Sequence, residues 1–406
     1  MDIVNLNSFL KFGYFIAYRC DNYQLDFSKI DKSKYLDYSE KELVEIGKQK
    51  FIKGIEDAFS NDRVHVVPIS GGLDSRAILA VLMDFVPVEN IRTYTFGTPG
   101  TMDYEIGNFL AKKLGTDHHR FPLTEHVYSQ KELVEISHLT EHQTVLFHHP
   151  PLLELKKLYS GSVFWSGYIG DAIAGGHIPK MKSRTIDQAK LKYIDHFTFT
   201  RSMDLTCCKN TDFMAEINAE WIDPEILSFE EQLLYQERCQ KLTAPHVLAQ
   251  TFEYKTPFIN NEFMDFMLSL EEQYRKNQNL YRKLLIRLSK ELFSYKTKTN
   301  FGLPLNANKA ATFFYRSLNK GKRLVGQYFN VCPDPGINYL DFNRAIKNKK
   351  DLSGIIYNNI QDLKHRKIVD WIDVDTIWDC HIKGQKDHSD ALLTLASLEI
   401  HLKIQA

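Results

Sequence analysis

A short β-branched run that leads through a glycine turn into an apolar helix constrains this chain more than any other feature. Val64 to Ile69 predicts a strand, Ser70-Gly-Gly-Leu-Asp-Ser75 a tight turn, and Arg76-Ala-Ile-Leu-Ala-Val-Leu-Met a helix. This succession is typical of parallel sheets covered by helices. Ligands bind outside the carboxyl ends of the strands in such sheets, so the turn is placed for chemistry.

The turn has the residues that a phosphate-binding loop needs. Gly71 and Gly72 lack a Cβ atom, so their backbone N–H groups can approach phosphate oxygens closely, and Ser70 and Ser75 add hydroxyl donors. The helix that begins near Ser75 directs its positive end at the same anion. Asp74 would repel phosphate without a cation between them, which predicts it as a Mg²⁺ ligand. A glycine turn that only packs strand on helix is the alternative.

Further segments repeat the alternation of strand and helix. Arg92 to Phe96 and Ser162 to Trp165 predict strands, and Tyr104 to Leu114 has helical periodicity. Ser39 and Glu42 predict a capping box at the start of an earlier helix. From about residue 186 the pattern is helical to the end of the chain. We therefore expect an α/β fold with a parallel sheet covered by helices, followed by a largely helical C-terminal part.

Composition excludes several classes of protein. Lys plus Arg (51) equals Asp plus Glu (51), so no net charge draws the chain to nucleic acid or to an anionic membrane, and any partner must be recognised locally. No apolar run approaches the roughly 20 residues that span a bilayer. Asp2 stands where a secretory signal would carry positive charge. We expect a cytoplasmic protein without a membrane span.

Neither cysteines nor histidines have the spacing of a zinc site. The six cysteines lack C-x-x-C spacing, which also argues against a dense disulfide framework and favours reduced thiols. The adjacent histidines, for which we expect structural roles, are His118, His119, His148 and His149.

Several blocks, in the same order along the chain, resemble the asparagine synthetase family over residues 60–305. Ser70 to Ser75 resembles its pyrophosphate loop, and Ser166-Gly-Tyr-Ile-Gly-Asp-Ala its second metal-binding turn. The other similar blocks are Asp103-Tyr-Glu, Leu114-Gly-Thr-Asp-His-His, Phe252-Glu-Tyr-Lys-Thr-Pro-Phe-Ile, Lys283-Leu-Leu-Ile-Arg and Lys298-Thr-Asn-Phe-Gly-Leu-Pro. The resemblance implies an adenine nucleotide α-hydrolase-like fold.

The resemblance also implies an ATP-dependent ligase that adenylates a carboxylate, releases pyrophosphate and passes the acyl group to ammonia or an amine. Asp74 and Asp171 would hold Mg²⁺, and Lys298 would stabilise developing charge. A solvated loop lysine is the alternative for Lys298, and an ordinary turn residue is the alternative for Asp171. The residues implied to bind ATP and pyrophosphate are Ser70, Gly71, Gly72, Asp74, Ser75 and Gly167.

The chain departs from the family pattern at two places. Residue 2 is Asp2 rather than the cysteine of an N-terminal glutaminase, so we expect ammonia from solution, an organic amine, or a separate glutaminase as the nitrogen source.

Tyr168 and Ala172 replace acidic residues of the metal turn, which argues against aspartate as the substrate. The tyrosine resembles that of β-lactam and carbapenam synthetases, where it assists deprotonation, so Tyr168 is a catalytic candidate. The alternative role is aromatic packing, and a partner at Glu216 or Glu220 rests on chain distance alone.

The expected organisation has three parts: a connector-like segment (1–59), an ATP-pyrophosphatase synthetase domain (60–320) and a helical extension packed on it (321–406). The expected substrate is a small-molecule, sugar-acid or peptide carboxylate. A lactam-forming cyclase, a tRNA-modifying adenylase and a catalytically inactive scaffold homologue are the other hypotheses. Neutral net charge argues against the tRNA enzyme, and retention of Asp74, Asp171 and Lys298 argues against the scaffold.

Overall fold

The computed structural model describes residues 2–20, 22–329, 334 and 336–405. Its central feature is a five-stranded parallel sheet with the order β3-β2-β1-β4-β5. The strands are β1 (His65–Pro68), β2 (Ile91–Gly97), β3 (Asp117–Pro122), β4 (Val163–Trp165) and β5 (Glu253–Lys255). A separate antiparallel pair consists of β6 (Lys296–Thr297) and β7 (Leu303–Pro304).

The strand order reverses direction at β1. The chain proceeds from β1 outward to β2 and β3, then returns to place β4 on the other side of β1, where His65 pairs with Val163. The loops after β1 and β4 therefore diverge from a switch point, which is where open α/β sheets bind ligands.

Helices cover both faces of the sheet. From α1 to α10 they are Ile3–Phe12, Glu40–Glu56, Asp74–Phe85, Met102–Leu114, Gln130–Leu139, Leu152–Leu158, Gly170–Ile173, Ile186–Phe197, Asn210–Glu216 and Phe229–Leu233. From α11 to α19 they are Ala244–Val247, Asn261–Ser269, Glu272–Arg275, Asn279–Leu288, Lys309–Phe329, Phe342–Asn348, Lys350–His365, Val374–Ile382 and Ser389–Gln405.

Two large hydrophobic clusters lie on opposite faces of the sheet. Val67 joins the cluster formed with α2, α3, α12 and α14, and its neighbour Val66 joins the cluster formed with α1, α5, α17 and α19. Successive strand residues point to opposite faces, so a central strand buried on both sides is apolar throughout. The architecture is the predicted α/β sandwich with a helical C-terminal part, of the adenine nucleotide α-hydrolase-like type.

The capping box at α2 is confirmed. The Ser39 hydroxyl accepts the Glu42 N–H at 3.4 Å, and the Glu42 carboxylate accepts the Ser39 N–H at 2.8 Å. Two strands were not predicted as such: β3, which reads Asp-His-His-Arg-Phe-Pro, and the three-residue β5. The helical pattern after residue 186 is thus interrupted by β5 and by the β6–β7 pair.

Four further expectations concern a helical segment, the division into parts, the cysteines and a membrane span. The segment Leu234–Thr243, predicted as ordinary helix, continues α10 with π-helical turns. Helix α15 crosses the boundary predicted between residues 320 and 321, and the three-part division remains a prediction. The described cysteines, all but Cys332, carry free thiols. Among the described residues, no helix is both long enough and apolar enough to cross a bilayer.

Candidate functional site

Two turns that follow neighbouring strands bring the two predicted metal carboxylates together. Asp74 begins α3 after β1, and Asp171 lies in α7 after β4. A Cβ atom added at Gly170 would lie 2.7 Å from the Asp74 carboxylate, and one added at Gly167 would lie 2.8 Å from the Asp74 Cβ. Both positions therefore need glycine so that the two turns can approach each other. The structure places Gly167 against Asp74.

The surroundings of Asp74 favour a bound cation. Burial first, and the charge of Asp171 second, raise the pKa of Asp74 to about 7. A hydrogen bond from the Tyr281 hydroxyl to Asp74 Oδ1, 2.7 Å long, and another from the Asp171 backbone lower the pKa in part. Ionisation of Asp74 is thus unfavourable at this position unless a cation offsets its charge.

Mg²⁺ fits this pair of carboxylates. It keeps several waters, and protein sites commonly bind it through one or two carboxylates together with substrate phosphates. In the part of the chain that the structure describes, no group of three or more His, Cys, Asp or Glu side chains is arranged to hold a metal alone. His177 Nε2 contacts Asp171 Oδ2 at 3.0 Å, and this hydrogen bond raises the pKa of His177.

In the loop between β1 and α3, the backbone N–H groups of both predicted phosphate-binding glycines donate to side chains of the protein. The Gly71 N–H donates to Asp103 Oδ1 at 3.2 Å, and the Gly72 N–H donates to the Ser70 hydroxyl at 3.2 Å. Leu73 precedes α3 and offers no side-chain cap to its first turn. Uncapped N–H groups at a helix start attract anions. The Asp103 carboxylate accepts the Gly71 N–H, and a phosphate oxygen bound in the loop would accept the same N–H in its place.

Lys298 is held against this loop by both its backbone and its side chain. Its N–H donates to the Gly71 carbonyl at 2.9 Å, and its Nζ donates to the side chains of Asp103 and Asn338. Asn338 lies 40 residues further along the chain. The lysine therefore lies beside the loop between β1 and α3, and its side chain is bonded within the protein rather than freely solvated.

A buried arginine fixes the segment that leads to Lys298. The Arg76 guanidinium, wholly buried on α3, donates to the carbonyls of Leu292 at 3.1 Å and Lys296 at 2.8 Å. Burial lowers the pKa of Arg76 to about 10. These bonds connect the helix of the phosphate loop to the backbone two residues before Lys298.

Replacing Arg76 by Met is expected to destabilise the protein by about 3 kcal/mol, because buried carbonyls that lose a charged donor are left unsatisfied. Urea denaturation measures this loss, with the exposed Arg120→Met as the matched control. A stability loss no larger than that of the control would contradict the anchoring role of Arg76.

A cleft of 490 Å³ extends from the loop to an aromatic wall. The wall includes Tyr94, Phe96, Tyr254, His148 and Tyr339, and the last two stack with their ring centroids 5.1 Å apart. Burial, followed by the charge of a neighbouring histidine, lowers the pKa of His148 to about 3. The wall is thus largely uncharged at neutral pH. The cleft has an anion-binding end and an apolar, aromatic end.

Tyr168 lies in this cleft but turns its hydroxyl inward. The hydroxyl donates to the Cys239 carbonyl at 2.9 Å, in the π-helical segment, and burial raises the pKa of the phenol. The side chain is 2 % exposed. Neither Glu216 nor Glu220 lines the cleft, so the partner of Tyr168 is a backbone carbonyl rather than either glutamate.

The remaining predicted residues have clear positions. Lys283 and Arg287, from a block that resembles the family, form ion pairs with Glu40 and Glu45 on α2 and not with the cleft. His118 bonds the side chains of Thr93 and Asn108.

Sequence reasoning missed several residues that shape the site. They are Tyr281, Asn338, His177 and Arg76, together with the contact that Asp103 makes with the loop. Tyr281 stands two residues before the Lys283 block, which is a signal that could have found it. The contact between Lys298 and Asn338 could not be predicted from the sequence, because the two residues are 40 positions apart and no local pattern links them.

Comparison with known proteins agrees with this geometry. No curated protein matches the chain. The family model described as asparagine synthase matches residues 49–403, which contain the two predicted metal carboxylates, the predicted phosphate loop and Lys298. Because the match covers most of the chain, the protein belongs to the asparagine synthase family of ATP-dependent, amide-forming ligases.

Proposed function

We propose that the protein adenylates a substrate carboxylate with ATP, releases pyrophosphate, and transfers the acyl group to ammonia or an amine. The observation that carries this proposal is the convergence of Asp74 and Asp171 at the β1–β4 switch point, beside a loop to which Lys298 is bonded. A pair of carboxylates next to backbone donors suits a metal-bound polyphosphate. The aromatic end of the cleft suits an adenine ring or an organic acyl group.

The steps follow from what each group can do. The substrate carboxylate attacks the α-phosphorus of ATP, and pyrophosphate departs toward the loop. Backbone N–H groups of the loop and the hydroxyls of Ser70 and Ser75 hold the departing anion. Asp74 and Asp171 would hold Mg²⁺, which would neutralise charge on the phosphates.

Lys298 has a separate part in this scheme. Its ammonium faces charge that develops at the phosphate, and later charge on the tetrahedral carbon when the amine attacks. Asp103 and Asn338 keep the side chain at the loop until substrate arrives. The half-buried aromatic wall would limit access of water to the acyl adenylate, which would otherwise hydrolyse.

Exchange of labelled pyrophosphate into ATP tests the first half-reaction without knowledge of the amine. We expect exchange that requires Mg²⁺ and one member of a panel of carboxylic acids containing sugar acids, amino acids and peptides. The Asp74→Asn variant, purified in the same way, controls for contaminating enzymes. Acid-dependent ADP formation in place of exchange would contradict adenylation, and bound ATP without any turnover over the whole panel would favour the inactive homologue.

Replacing Tyr168 by Phe separates its two proposed roles. The hydroxyl that donates to the Cys239 carbonyl has a raised pKa, which works against proton abstraction from an amine. We therefore expect the variant to keep amide formation within about tenfold of the wild type. Loss of amide formation by more than about a hundredfold, with pyrophosphate exchange intact, would instead assign Tyr168 to the amine step and favour the lactam-forming cyclase.

A further inference from the structure

A long stretch of the chain around Lys298 has charge of one sign only. Residues 292–333 contain seven Lys or Arg and no Asp or Glu, in a protein whose acidic and basic residues balance overall. This stretch includes the whole of α15 (Lys309–Phe329), which Asn308 caps by accepting the Ala311 N–H at 2.7 Å. The positive charge is therefore concentrated on one helix.

The sequence of α15 separates basic from apolar residues at helical spacing. Arg316 and Lys320, four residues apart, fall on one side of the helix. Phe314 and Leu318, four residues apart, fall on another side. A helix with this separation is amphipathic.

The apolar face of α15 is not covered by the described part of the protein. On that face Phe314 is 60 % exposed and Leu318 42 %, and Phe313, three residues before Arg316 at the border with the basic side, is 73 % exposed. No other described helix or strand packs extensively against α15. Three large apolar side chains facing water on one helix are an unusual concentration, since exposed aromatic residues elsewhere in the described chain, such as Tyr38, Phe109 and Tyr357, lie apart from one another.

We propose that α15 binds the surface of an anionic lipid bilayer, lying in the plane of the interface without crossing it. A helix with a basic face, an aromatic and apolar face and moderate overall hydrophobicity has the composition of an interfacial helix. A flat anionic surface can meet both faces along the full length of the helix, with phosphate headgroups at the basic residues and acyl chains at the aromatic ones. Tyr315, 40 % exposed, suits the polar boundary between them.

The position of α15 gives this binding a connection to catalysis. Its first residue follows Lys298 by eleven positions, and the Arg316 guanidinium lies 5.7 Å from the ring centroid of Phe301, in the loop between β6 and β7. Binding of α15 to a bilayer would hold the segment that contains Lys298 near the membrane surface.

Co-sedimentation of the full chain with vesicles tests the proposal. We expect binding to vesicles of phosphatidylcholine mixed with phosphatidylglycerol, little binding to pure phosphatidylcholine, and release at high ionic strength. The double variant Arg316→Gln/Lys320→Gln should weaken binding to the anionic vesicles by about tenfold or more. The triple variant Phe313→Ser/Phe314→Ser/Leu318→Ser should weaken it at least as much.

Two exposed lysines elsewhere provide the matched control. Lys156→Gln/Lys157→Gln on α6 removes the same charge from another surface and should leave vesicle binding unchanged. The circular dichroism spectrum and thermal unfolding of each variant check that it is folded. Wild-type protein that does not bind anionic vesicles would overturn the proposal. Equal loss in the α6 control would overturn it too, as would full binding by the triple serine variant. These outcomes are independent of whether the protein turns over ATP.

Discussion

Replacing either Asp74 or Asp171 by Asn is expected to lower pyrophosphate formation by roughly 10³-fold or more, with the fold preserved. Without one of the two metal carboxylates, the negative charge on the departing pyrophosphate loses several kcal/mol of stabilisation. Pyrophosphate release under saturating ATP and Mg²⁺ measures the effect. Asp84→Asn, an exposed substitution at the far end of α3, is the matched control. Near-normal turnover in either site variant would remove the metal assignment.

The same substitution at Asp74 has an opposite effect on stability. Burial and the Asp171 charge raise the pKa of Asp74 from its usual 3.8 to about 7, so folding favours the protonated acid. Ionisation of Asp74 therefore lowers the free energy of unfolding. This loss is absent below the unfolded pKa and grows as pH rises toward about 7. In metal-free solution at neutral pH, Asp74→Asn should therefore unfold at no lower temperature than the wild type. A lower unfolding temperature would mean that the activity loss reflects damage to the fold.

Replacing Lys298 by Ala is expected to lower the catalytic rate by about 10² or more with little change in ATP affinity. The ammonium acts on charge that appears only in the transition state, while the loop donors hold the phosphates of the bound nucleotide. Single-turnover rates and equilibrium ATP binding measure the two quantities separately.

Lys296→Ala provides the control, because Lys296 is exposed, carries the same charge and stands two residues away. It should leave both quantities near wild-type values. A loss of ATP affinity in Lys298→Ala equal to the loss of rate would assign Lys298 to binding of the nucleotide in the ground state.

The sequence predicts the central strands of the fold because they are buried on both faces. β1, β2 and β4 contain β-branched and aromatic residues in short runs, and each is followed by a glycine turn or a helix. β3 and β5 are the edge strands of the sheet. One face or edge of such strands meets solvent or loops, so His118 and Glu253 are tolerated there and the strand pattern is weak.

The two halves of the candidate site differ in how far they could be predicted. The loop from Ser70 to Ser75 is contiguous, so its donors and Asp74 are visible in the sequence. The side chains that restrain them come from distant elements. Tyr281 and Asn338 reach the site only through tertiary packing, which residue spacing does not encode. The inward turn of Tyr168 likewise depends on the π-helical segment, whose sequence reads as ordinary helix.

The pairing of β1 with β4 also has a consequence for how the protein folds. His65 and Val163 are separated by about 100 residues, so closing this pair carries a large loop-closure entropy cost and gives the sheet high contact order. Asp74 and Asp171 face each other only after the pair has formed. A partly folded chain in which β1 and β4 have not paired therefore has the glycine loop but not the predicted pair of metal carboxylates.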